Sequence, residues 1–147
     1  MTRLASSLIA FLLAFTPQSW GWGPQAIRNI VSGAARLMDK EYGIPLTNLL
    51  QEIQAGGSLS QALVEGLIPT AGHDPITAIE SEMYLLQAVR GDRVDPYLAY
   101  RLGVLGKLTA QLSSPVSEAR STYRTLYDAD AEKHITCLLY TSDAADE

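Results

Sequence analysis

Cysteine and histidine are both scarce: the chain has one cysteine, Cys137, and two histidines, His73 and His134. A single thiol closes no intramolecular disulfide, so packing alone has to hold the fold. Two imidazoles are too few for a multinuclear metal centre built on histidine. Basic runs are missing too. The 11 Lys and Arg are interspersed among 16 Asp and Glu for a net charge of −5, so nothing suggests nucleic-acid binding by charge alone. No window sustains period-two alternation with β-branched residues, which argues against strands. The uncharged apolar stretch Leu4 to Phe15 has twelve residues, short of the roughly 20 that span a bilayer.

Both ends of the chain stand apart from the rest. Arg3 and the Leu4–Phe15 stretch, followed by Pro17 and small residues, read as a secretory signal peptide. Ser19 and Gly21 occupy the −3 and −1 positions for cleavage after Gly21, which predicts export with Trp22 as the mature N-terminus and no transmembrane anchor afterwards. At the other end, residues 137–147 (CLLYTSDAADE) match a translated sequencing-library adapter. The expectation is a native chain that breaks off near Thr136. Residues 22–136 then form a single, incomplete domain of 115 residues with net charge −3.

Helical punctuation runs through that domain. Pro24 suits a first helical position, where its missing N–H would be unpaired anyway. Ile27, Ile30, Val31, Ala34, Leu37 and Met38 follow at helical spacing up to Gly43. Leu46, Leu49, Leu50 and Ile53 predict a short second helix stopped by Gly56-Gly57. Ser58 with Gln61 reads as a capping box for a third, ending before Pro69. Asp74-Pro75 and Asp95-Pro96 are two copies of one start signal, an N-cap followed by Pro. The second opens a helix with the stripe Leu98, Leu102, Leu105, Leu108 and Leu112, ended by Ser113-Ser114-Pro115. A last helix is expected over Glu118 to Tyr127, with Asp128 or Asp130 capping another. The predicted fold class is all-α, an antiparallel bundle of five to six helices truncated at its C-terminus.

Trp22-Gly23-Pro24, placed after a signal peptide and leading into an amphipathic helix, resembles the opening of the zinc-dependent phospholipase C and S1/P1 nuclease superfamily. The resemblance implies an exported all-α fold in which the N-terminal Trp binds metal through its amino group and carbonyl. A His five residues on would be another ligand. A later helix in that family carries His, three residues, Asp, three residues, Pro, one residue, His, and residues 107–117 keep this frame with Pro115 in register. The ligands themselves are replaced. The degenerate positions are Ile27, Lys107, Gln111 and Ser117. An ammonium must lose its proton before it can bind zinc, and a neutral amide or a serine is a poor ligand.

Two function classes follow. In the first, the chain is an exported, non-catalytic binding or structural domain that needs no cofactor. In the second, it is a zinc-dependent phosphoesterase or phospholipase with a relocated metal site, drawing on Trp22, His73, Asp74 and His134 and on residues beyond the break. An unrelated exported α-bundle is a third possibility. No partner is indicated, and no nucleophile–base pair or Gly-rich phosphate loop is present. Glu80 and Glu82, two apart on a helix, read as a solvated face. Arg90, Asp92, Arg93 and Asp95 read as loop charge pairing. Tyr84, Tyr97, Tyr100, Tyr123 and Tyr127 suit either a groove or a core with hydroxyls at its rim.

Overall fold

The computed structural model describes residues 22–114 and 121–143, without the side chains of residues 121, 124 and 135–143. The expected signal peptide, Pro115, Ser117 and the side chains of the adapter-like tail lie outside these residues. Among the described residues the fold is all-α: six helices and no strand. They are α1 (Pro24–Tyr42), α2 (Leu50–Gly57), α3 (Gln61–Leu67), α4 (Pro75–Val89), α5 (Pro96–Leu112) and α6 (Ser121–Asp143). Short 3₁₀ turns at Leu46–Leu49 and Pro69–Gly72 lead into α2 and out of α3. None of these helices is long and apolar enough to cross a membrane.

Local chemistry explains most of the boundaries. Gly43 ends α1 in the left-handed conformation at φ 65°, and its N–H donates to the Asp39 carbonyl. The Asp74 and Asp95 carboxylates cap α4 and α5 by accepting from the amides of Thr77 and Leu98 at 3.1 and 2.7 Å. The expected Ser58 cap is replaced by Ser60, whose hydroxyl accepts from Leu63 N. Ser58 is still bound to the preceding helix, since its amide donates to the Gln54 carbonyl. No new helix starts at Asp128 or Asp130, because α6 runs through both as one continuous helix.

Helix α5 is the centre of the molecule. One side joins Ala99 and Ala110 to Ile27, Val31, Ala35, Leu46 and Ile53. Another joins Val104 and Leu108 to Val64, Ile68, Ala71 and Ala78. The predicted leucine stripe is therefore not the deepest face. Of the stripe Leu108 is buried, but Leu98, Leu102 and Leu105 are half-buried and Leu112 is 44 % exposed, whereas Ala99, Gly103, Val104 and Ala110 are all buried. The reason is steric. A Cβ on Gly103 would overlap the Ile53 carbonyl oxygen, and one on Gly56 would overlap the Tyr100 carbonyl oxygen. α2 and α5 thus cross backbone to backbone, which only glycine permits. Gly56 and Gly57 form the last turn of α2, which ends at this pair as the sequence predicts. In α1 the expected stripe also thins out: Leu37, Met38 and Ala34 face solvent, and burial follows Ile27, Val31 and Ala35 at spacings of four.

Candidate functional site

The Trp22 end of α1 is built by a helix far away in sequence. No acidic residue stands in the first turn of α1, and its N-cap Gly23 has no side chain to offer. Glu132 of α6 takes that role. Its Oε1 accepts from Gln25 N at 2.8 Å and from Ala26 N at 3.1 Å, satisfying two of the free amides that every helix start presents. The carboxylate also sits at the positive end of the helix dipole. Glycine at residue 23 leaves room for this placement, since a Cβ there would overlap the carboxylate and make the Glu132 side chain shift. The Trp22 ring meets Tyr127 of α6 edge to face, centroids 5.5 Å apart. Its indole Nε1 is buried without a hydrogen-bond partner.

The four degenerate positions divide. Ile27 is 1 % exposed and part of the apolar core. Lys107 is 9 % exposed, and Gln111, one turn further along α5, is half-buried. Ser117 lies outside the described residues. α5 presents Gly106 and Ala110 to α1: a Cβ on Gly106 would stand 2.7 Å from a Val31 methyl, and Ala110 shares the cluster of Ile27. Helix geometry places Lys107 and Gln111 beside this seam and away from Leu98 and Leu105. Lys107 has no ion-pair partner among the described residues. Asp74 is held by Thr77, Asp130 lies against His134, and no hydrogen bond or ion pair joins Lys107 to any described residue, Asp128 included. Burial pushes the Lys107 pKa down from its ordinary 10.5.

The weak metal candidates are dispersed. Trp22 belongs to the α1–α6 contact, His73 is exposed in the turn before α4, and His134 is exposed on α6. Asp74 spends both oxygens on Thr77, one on its amide and one on its hydroxyl. The Thr77 hydroxyl and the Thr77 amide, with a lesser effect of nearby His73, hold the Asp74 carboxyl below its usual range against the opposing effect of desolvation. Among the described residues no three His, Cys, Asp or Glu side chains gather as metal ligands do. The tyrosines do not line one groove either. Tyr84, Tyr97 and Tyr123 are exposed, while Tyr100 and Tyr127 are half-buried.

A buried ion pair corrects the sequence reading of Glu82. Glu82 is not on a solvated face; it is 1 % exposed and faces Arg101, itself 6 % exposed. Arg101 donates from Nε to Glu82 Oε1 at 2.6 Å and from Nη2 to Oε2, a two-pronged contact. The signal was legible. Ala78, Glu82 and Leu86 are buried at spacings of four on α4, and Arg101, Val104 and Leu108 are buried at spacings of three and four on α5. Opposite charges at the middle of one apolar stripe and the end of another mark a pair between the helices. A second reading is also corrected: Arg90, Asp92, Arg93 and Asp95 form no ion pairs with one another, and Asp95 is occupied as a cap. Beside the buried pair lies a cavity of about 340 Å³, lined in part by Ile68, Thr70, Leu85 and both charged residues.

Comparison with models of known protein families, with characterised proteins and with solved structures gives no match to this chain.

Proposed function

We propose that the chain is an exported, non-catalytic helical binding domain, related to the zinc-dependent phospholipase C and P1 nuclease fold but with its metal centre replaced. The observation that carries this reading is Lys107, 9 % exposed as a residue and joined by no hydrogen bond or ion pair to any described carboxylate, on a helix beside the seam that holds the core residue Ile27. A divalent ion placed there would meet an ammonium where a ligand should be, and a branched hydrocarbon where an imidazole should be. The Trp22 end of α1 is in turn neutralised by Glu132. Elemental analysis of the secreted protein after dialysis tests the reading. It expects no stoichiometric zinc, and one zinc per chain that survives dialysis would overturn it.

A second reading keeps the activity as a zinc-dependent phosphoesterase with a relocated site. The pairing of His134 Nδ1 with Asp130 Oδ1 at 3.3 Å, one turn apart on α6, favours it by setting two donor groups side by side. Retained zinc, lost together with hydrolysis of a phosphate ester on replacing His134 by alanine, would decide for this second reading.

A further inference from the structure

We infer that the cavity between the Pro69–Gly72 turn, α4 and α5 is a binding site for a small neutral acyl compound, one whose carbonyl is presented to Arg101 and whose short hydrocarbon tail lies on the apolar wall. The inference rests on the reading of the chain as a binding domain and names the ligand. The volume of about 340 Å³ falls at the small end of the range for small-molecule sites. Leu67, Ile68, Pro69 and Leu85 supply hydrocarbon, and Thr70, Glu82, Arg101 and Ser81, whose hydroxyl donates to the Thr77 carbonyl, supply the polar groups. Few polar groups on a mostly apolar wall fix orientation without asking for a strongly hydrated ligand.

Unused hydrogen-bonding capacity identifies the head group. A guanidinium has five N–H donors, and Glu82 takes one from Nε and one from Nη2. The others make no hydrogen bond with any described residue, although Arg101 is more than nine-tenths buried on the cavity wall. The hydroxyl of Thr70, on the same wall, is buried without a partner. Such a group is costly to leave unmade, and a carbonyl oxygen that accepts from both Arg101 and Thr70 would satisfy it. Charge argues for a neutral ligand. Glu82 already cancels Arg101, so a bound carboxylate would add an uncompensated negative charge close to Glu82 in a poorly solvated place.

Titration of the full chain with hexanamide, followed by methyl NMR in chelator-containing buffer, tests this. Saturable shifts confined to the methyls of Leu67, Ile68 and Leu85 are expected at roughly millimolar ligand, with hexanoate binding more weakly. Replacing Arg101 would risk the fold, so the diagnostic variant is Thr70→Val. It keeps the shape and removes one hydroxyl, and affinity should fall by about tenfold with the fold intact. Shifts that never saturate, hexanoate binding as tightly as hexanamide, or equal affinity in Thr70→Val would each overturn the proposal. Zinc content is measured separately, so a flat titration leaves the metal question where it stood, and retained zinc leaves the cavity untouched.

Discussion

Gly103 of α5 rests against the main chain of Ile53 in α2, with no room for a side chain between them. Gly56 repeats the arrangement in reverse against Tyr100, so the two helices touch through their backbones. Main-chain atoms in a helix cannot swing aside as the tip of a long side chain can. Gly103→Ala gains about 1 kcal/mol of helix propensity but must separate two packed helices, for which overpacking costs of about 1–3 kcal/mol are usual and occasionally more. A net loss of about 2 kcal/mol is expected in urea denaturation. Gly33, in the exposed middle of α1 with nothing within 4 Å of a Cβ, is the contrast. Gly33→Ala should gain about 0.5–1 kcal/mol. Equal responses at the two sites would refute the backbone crossing.

The buried pair predicts a different pattern. Glu82→Met or Arg101→Met alone leaves a charge enclosed without its partner, and each should cost about 3–5 kcal/mol. The double replacement removes both charges and keeps hydrocarbon in their place, so most of the loss should be recovered. A double-mutant cycle reads this directly. Additive losses would mean that the two side chains do not hold each other.

How much of this was legible in sequence depends on the range of the interaction. Asp74-Pro75 and Asp95-Pro96 announced the starts of α4 and α5, because a cap and its amide lie three residues apart. The all-α class followed from the same local signals. The depth of each helix did not. Leucines at 98, 102, 105 and 112 of α5 outweigh Gly103 and Gly106 on any hydrophobic scale, yet the glycines lie at the crossing because closeness there is set by size. Glu132 reaches the start of α1 from 107 residues away, and nothing local to Glu132 reveals it. Lys107 was singled out from sequence, but its lack of an ion pair among the described residues is a property of the packing.

Glu132 gives a third prediction. Glu132→Gln keeps an acceptor for Gln25 N and Ala26 N but removes the charge at the helix start, so a loss of about 0.5 kcal/mol is expected. Glu132→Ala removes both and should cost about 1–2 kcal/mol. Amide hydrogen exchange at Gln25 and Ala26 should quicken in the same order. Unchanged exchange at both amides would show that α1 starts without help from α6.

Lys107 ties stability to pH in a direction that can be worked out. In the unfolded chain it titrates near 10.5, and burial lowers that value in the fold. Below the folded pKa both states carry the proton, and the folded state bears the whole desolvation cost. As pH rises through the folded pKa towards 10.5, the folded lysine gives up its proton before the unfolded one does. The unfolded state then binds more protons, so stability attributable to this residue rises with pH. Lys107→Met removes the group from both states. The variant should be the more stable at neutral pH, with Tm raised by roughly 4 °C if about 1 kcal/mol is recovered in a domain of this size. Its advantage should shrink steadily as pH approaches 10.5. Thermal melts of both proteins between pH 7 and 10.5 check this, because every other titrating group cancels in the difference. A gap independent of pH would mean that the Lys107 ammonium is solvated after all, and the buried cation that carries the functional reading would be lost with it.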